Sequence, residues 1–100
     1  MINEYLPGQG IAPHVDCVPC FDNTIASLSL ISSCEMNFRN LDYPELKSNL
    51  YLKPRSLLVL KDKSRLDWTH GIAPRKSDVV NGVRLSRTRR LSLTFRKVII

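Results

Sequence analysis

Five residues have the side chains and spacing to do chemistry together: His14, Asp16, His70, Arg90 and Arg96. In His14-Val15-Asp16 an imidazole and a carboxylate stand two positions apart. On a β-strand such residues point to the same face. The chain has two histidines, and the second lies in Trp68-Thr69-His70-Gly71-Ile72. Two imidazoles and one carboxylate on one side of an ion, with the other positions open, suit non-haem Fe(II) and its reaction with O2. Either histidine alone reads as a structural residue. The set of three points to a metal.

The segment Arg90-Leu91-Ser92-Leu93-Thr94-Phe95-Arg96 alternates polar and apolar side chains without a break. This predicts a strand with Arg90, Ser92, Thr94 and Arg96 on one face and Leu91, Leu93 and Phe95 on the other. At about 3.3 Å per residue the two arginines stand roughly 20 Å apart. A guanidinium is a planar fork that grips a carboxylate bidentately and keeps its charge. Two such arms beside an iron site predict a small dicarboxylate cosubstrate, 2-oxoglutarate.

The run Asn3-Glu4-Tyr5-Leu6-Pro7-Gly8-Gln9-Gly10-Ile11, followed by His14-Val15-Asp16, resembles the core of the AlkB family of Fe(II)/2-oxoglutarate dioxygenases. Further matches are Ser27-Leu28-Ser29-Leu30, Pro54-Arg55-Ser56-Leu57-Leu58-Val59, Ser64-Arg65 and Trp68-Thr69-His70-Gly71-Ile72. The closing motif, an arginine, five residues and another arginine, is met by Arg90 and Arg96. The resemblance covers residues 2–98. The Gly8-Gln9-Gly10-Ile11 and His14-Val15-Asp16 wording is most similar to members that hydroxylate a modified wobble uridine in tRNA.

The resemblance implies that His14, Asp16 and His70 hold Fe(II), with 2-oxoglutarate and O2 as cosubstrates. Arg90 would take the distal carboxylate of 2-oxoglutarate and Arg96 the end nearer the metal. Asn3 and Tyr5 match a family Asn-x-Tyr that bonds to the same cosubstrate; at i and i+2 both can face the cavity. Ser92 stands where relatives often carry asparagine. Arg65 matches a substrate-contacting position of bacterial relatives, its other reading being a solvated loop arginine. Trp68 would wall the iron pocket or stack on a flipped base, or else be a core aromatic. Two departures bear on substrate. Val18 replaces the acidic residue with which DNA-repair members read a damaged base. The chain also starts almost at the Asn-x-Tyr strand, so the usual N-terminal extension with its nucleotide lid is expected to be lacking, and a protein partner to supply it.

These residues need strands to position them. Runs at 2–6, 11–16, 24–31, 34–39, 49–53, 56–60, 67–72 and 90–98 read as strands. Pro7-Gly8-Gln9-Gly10 reads as a turn, 17–23 and 40–48 as loops, and 73–86 as the longest irregular stretch. Eight short strands in one domain, residues 1–100, predict an all-β double-sheet jelly roll with room for a site between the sheets. The family's double-stranded β-helix is that fold.

Composition agrees with a folded domain: 43% of residues are hydrophobic and 24% charged. No stretch approaches the ~20 apolar residues of a membrane span. The first residues lack a signal peptide's basic and apolar regions, which predicts an intracellular location, cytoplasmic or nuclear. Charge is one-sided. Residues 1–50 carry two basic and six acidic side chains, a net −4, and residues 51–100 carry thirteen and three, a net +10. Such a field attracts polyanions, here through Arg84, Arg87, Arg89 and the lysines, the alternative being a solvated basic strand. Three cysteines, Cys17, Cys20 and Cys34, predict no disulfide framework. The expected activity is hydroxylation or oxidative demethylation of a modified base, in RNA or tRNA ahead of DNA. A truncated, non-catalytic nucleic-acid-binding relative and a protein or small-molecule hydroxylase are the alternatives.

Overall fold

The computed structural model describes residues 1–99. Its strands are β1 (Ile2–Tyr5), β2 (Ile11–His14), β3 (Phe21–Leu30), β4 (Cys34–Asn40), β5 (Lys47–Leu52), β6 (Leu57–Lys61), β7 (Trp68–Ile72), β8 (Ser77–Val80), β9 (Val83–Ser86) and β10 (Arg90–Val98). A single turn of helix, α1 (Lys63–Leu66), joins β6 to β7. The strands form a first sheet in the order β1-β10-β3-β6, a second in the order β2-β7-β4-β5, and a β8-β9 hairpin. This is the all-β jelly-roll architecture. No helix among the described residues is long and apolar enough to cross a membrane.

The second sheet follows ordinary alternation. Cys34, Met36 and Phe38 of β4 point inward and are buried with Leu52 of β5 and Ile72 of β7. Leu60 of β6 meets them from the first sheet, with Tyr5, Leu58 and Trp68 packed against the cluster. The core therefore lies between the sheets. The first sheet departs from this pattern. On β10 the buried residues are Arg90 and Ser92, whereas Phe95 is 56% exposed. Its polar side lines the interior.

Two glycines let β2 and β7 meet closely. A Cβ on Gly10 would collide with the carbonyl oxygen of Ile72, and one on Gly71 would stand 3.0 Å from the Ile11 carbonyl and from Pro13. Side chains there would push apart the two strands that carry the histidines.

The structure corrects three expectations. The irregular stretch at 73–86 contains the β8-β9 hairpin, with Val80 opposite Val83 and Asn81-Gly82 at the turn. Both turn residues have positive φ, 51° and 79°, as a two-residue hairpin of this hand requires. Strand β2 ends at His14, so Asp16 lies in the following loop and not on the strand. Cys17 and Cys20 form a local disulfide across that loop, while Cys34 is a buried free thiol.

Candidate metal centre

Antiparallel pairing of β2 with β7 sets His14 directly opposite His70. Their ring centroids are 4.4 Å apart. Asp16 joins them because its loop is pinned from beneath. Arg65, 2% exposed, donates from Nη1 to the Asp16 carbonyl (2.9 Å), from Nη2 to the Cys17 carbonyl (3.1 Å) and from Nε to the Asp22 carbonyl (3.4 Å). One ligand atom from each of His14, Asp16 and His70 lies within 4.8 Å of the others. Asp16 Oδ1 is 3.1 Å from His14 Nε2 and 3.8 Å from His70 Nε2.

The surroundings prepare these groups as ligands. His14 Nδ1 donates to the Ala12 carbonyl at 2.8 Å, which turns Nε2 toward the cluster. Burial alone would push the Asp16 carboxyl up. The hydrogen bond and charge of Arg96, with the two histidines, outweigh that and hold it below its ordinary value. Burial, reinforced by His14, pushes the His70 imidazole down, so it resists protonation. A carboxylate and unprotonated imidazole nitrogens are the donor set that a divalent iron takes. The residues fit the ion.

The other half of the site comes from the first sheet. In its register Asn3 lies opposite Ser92, and Tyr5 opposite Arg90. Arg90 is 2% exposed, and its Nη2 donates to Ser29 Oγ at 2.8 Å. Its Nε and Nη1 have no partner among the described residues. Buried guanidinium nitrogens left unpaired are costly, and they call for anionic acceptors such as carboxylate oxygens. Tyr5 lies beside this group, with the Arg90 Cζ 5.5 Å from its ring centroid. These residues fit the carboxylate end of 2-oxoglutarate.

Asn3, Ser92 and Arg96 line one cavity with the metal cluster, and Ser92 Oγ lies 2.9 Å from Ser27 Oγ. Tyr5 and Arg90 line a separate, narrower one of about 10 Å³. Arg96 reaches the cluster itself: its Nε donates to Asp16 Oδ2 at 2.8 Å and its guanidinium stacks over Phe21.

Other expected residues sit elsewhere. Arg65 is neither solvated nor turned toward a substrate; its three nitrogens are committed to backbone carbonyls. Trp68 packs against the core and lines a separate groove with Phe38, Leu58 and Leu60. The polyanion surface loses Arg87, which is buried and forked onto Asp78 at 2.7 and 2.9 Å. Arg89 pairs with Glu4, and exposed Arg84 donates to Ser77. Sequence reasoning missed the supporting roles of Arg65 and Ser29. The Ser27-Leu28-Ser29-Leu30 alternation, polar toward one face, was the available signal for the second.

The chain matches the 2OG-Fe(II) oxygenase superfamily over residues 1–96 and belongs to it. Within that superfamily it is AlkB-like. It is 47% identical to the uncharacterized protein L905 of Acanthamoeba polyphaga mimivirus, over 99% of this chain and 47% of that one. It is 42% identical to the tRNA (carboxymethyluridine(34)-5-O)-methyltransferase alkbh8 of Xenopus tropicalis, over 97% of this chain and 18% of that one. It is 36% identical to the mitochondrial alpha-ketoglutarate-dependent dioxygenase alkB homolog 7 of Mus musculus, over 92% of this chain and 42% of that one. The chain thus spans less than half the length of each of these relatives.

Proposed function

We propose that this chain is the catalytic core of an Fe(II)/2-oxoglutarate-dependent dioxygenase that hydroxylates or oxidatively demethylates a modified base in RNA, tRNA foremost. The observation that carries this reading is Arg90. Two of its buried nitrogens lack a partner among the described residues, and Ser92, two residues along β10, lines the cavity of the His14, Asp16 and His70 cluster. Fe(II), when bound, supplies the activation of O2 and the oxidative decarboxylation of 2-oxoglutarate that drive hydroxylation.

The chain's residues prepare that chemistry. His14, Asp16 and His70 would hold the ion. Arg96 occupies Asp16 Oδ2, which leaves one carboxylate oxygen for the metal. Arg90 grips the distal carboxylate of 2-oxoglutarate, oriented by Ser29 and walled by Tyr5. Ile25, Met36 and Leu60 give the metal cavity an apolar wall that limits water.

An RNA substrate is supported by the name of the Xenopus relative and by the net +10 of residues 51–100. Exposed Arg84, Lys61, Lys76 and Lys97 are the surface cations for phosphate. The test is succinate release by iron-reconstituted protein with panels of modified oligonucleotides. Fe(II)-dependent succinate, stimulated by a tRNA anticodon stem-loop carrying a modified wobble uridine, is the expected result. Absence of succinate under all conditions overturns the catalytic reading.

A further inference from the structure

Cys17 and Cys20 are bridged in the loop that carries Asp16 away from β2. Two properties set this bridge apart from a structural staple. It closes a span of three residues, and a ring so short removes little freedom from the unfolded chain. It is also open to solvent: Cys17 and Pro19 are exposed, Val18 is 49% exposed and Cys20 is half-buried. Cys34, by contrast, is 3% exposed in the core, so no third thiol competes for the pair. An exposed, local bridge is the kind that exchanges with external thiols.

The bridge is one link in a closed circuit around Asp16. Asp16 precedes Cys17, and Phe21 follows Cys20. Arg96 joins the two ends: its Nε donates to Asp16 Oδ2 at 2.8 Å and its Cζ lies 5.2 Å from the Phe21 ring centroid. Each half of the loop has its own anchor. Arg65 holds the Asp16 and Cys17 carbonyls, whereas Phe21 pairs with Val98 of β10 and the Cys20 carbonyl accepts from the Ile99 amide. The sulfurs are the covalent tie between the halves. Without them the tie falls to the Cys20 and Phe21 amides donating to the Cys17 carbonyl, both at 3.3 Å.

We propose that Cys17 and Cys20 form a thiol–disulfide exchange site that takes a dithiol reductant and sets how firmly Asp16 is held for the metal. A reductant thiolate attacks Cys17 Sγ, the bond to Cys20 breaks, and Cys20 leaves as a thiolate that takes up a proton. The reductant's second sulfur then displaces Cys17, which is protonated in turn, and closes the reductant's own disulfide. Two electrons and two protons pass to the chain. In the open form the two halves shift independently, and an ion must order the carboxylate as it binds. Affinity for the ion falls while the fold stays.

The switch acts through the metal role of Asp16 under the oxygenase reading, so redox state and metal binding are read separately. The full chain is reduced with dithiothreitol under native conditions, freed of reductant without oxygen, and compared with the oxidised chain. Two N-ethylmaleimide adducts, at Cys17 and Cys20, should form on the reduced chain alone. Mn(II), which prefers oxygen donors to thiolates, is titrated into each form by electron paramagnetic resonance. Its Kd should rise at least fivefold on reduction and return on reoxidation. Cys17→Ser with Cys20→Ser should show the reduced value with or without dithiothreitol, its far-ultraviolet circular dichroism matching the parent. Equal Kd values in the two forms overturn the switch and leave the metal centre intact. So does a bridge that resists dithiothreitol in the folded chain. Absence of Mn(II) binding in both forms removes the metal centre, and the switch with it.

Discussion

The two four-stranded sheets use the same alternation with opposite orientation. The second sheet turns Cys34, Met36, Phe38 and Leu52 inward and leaves Glu35, Asn37 and Arg39 in water. The first turns Arg90, Ser92 and Ser29 inward and leaves Phe95, Leu57 and Val59 outside. Burying one large apolar side chain contributes about 1.5–3 kcal/mol, so the second sheet is where the fold gains its cohesion. The first sheet takes part of that gain at Ile25 and Leu60 but gives much of its inner face to buried polar groups, of which Arg90 keeps two nitrogens unpartnered among the described residues. The difference separates holding the fold from holding a ligand. The histidines belong to the cohesive sheet, and the groups for the cosubstrate belong to the polar one.

The sharpest way to break this division is at the metal cluster. His70→Ala should lower Fe(II)-dependent succinate formation more than a thousandfold, about 4 kcal/mol. Far-ultraviolet circular dichroism should stay that of the parent. Persistent turnover would remove His70 from the ligand set.

Phe38→Ala and Phe95→Ala test the same comparison through stability. Truncating buried Phe38 should cost about 3–5 kcal/mol in urea unfolding. The same change at exposed Phe95 should cost within about 0.5 kcal/mol. Equal losses would show that the first sheet's outer face is already covered.

The ion pair under the hairpin gives a pH signature. Burial pushes the Asp78 carboxyl up, but the hydrogen bond and charge of Arg87 pull it further down, below 3.8. A depressed carboxyl stabilises the fold fully above its unfolded value, and the contribution is lost as pH falls through the folded value. Asp78→Ala strands Arg87 and should cost about 3 kcal/mol at pH 7. The variant should also lose less stability than the parent on acidification below about pH 4. Parallel acid limbs for the two proteins would contradict this.

The smallest effect concerns Arg90. Arg90→Lys keeps the charge and loses the fork, so the Michaelis constant for 2-oxoglutarate should rise ten- to a hundredfold, about 1.4–2.7 kcal/mol. Ser29→Ala should move it in the same direction by less. An unchanged constant in Arg90→Lys would place the carboxylate grip elsewhere.

Most of this architecture was legible where the information is local. Alternation from Arg90 to Arg96 is visible over seven residues, and β10 spans them as expected. The hairpin signal at Asn81-Gly82 was equally local, but Pro74 and Gly82 read first as breakers. Buried charge was harder to see. Arg65 is buried because carbonyls at Asp16 and Cys17, 49 and 48 residues away, receive its protons. Arg87 is buried because Asp78 folds back against it across the hairpin. No periodicity reveals which arginines will find such partners, so the basic half of the chain looked more available to phosphate than it is. The cysteine count ruled on a framework of bridges and said nothing about one short loop between Cys17 and Cys20.

The facing of His14 and His70 has a kinetic consequence. The two residues are paired across β2 and β7 yet lie far apart along the chain. Closing a loop of such length costs about 3–4 kcal/mol of chain entropy before any contact repays it. Pairings of this kind form late and slowly in folding. The cluster therefore has no partially assembled precursor: until β7 docks beside β2, the chain offers an isolated His-x-Asp. A divalent ion that needs all three ligands discriminates chains that have closed this pairing from those that have not, and its uptake rate reports the pairing of β2 with β7.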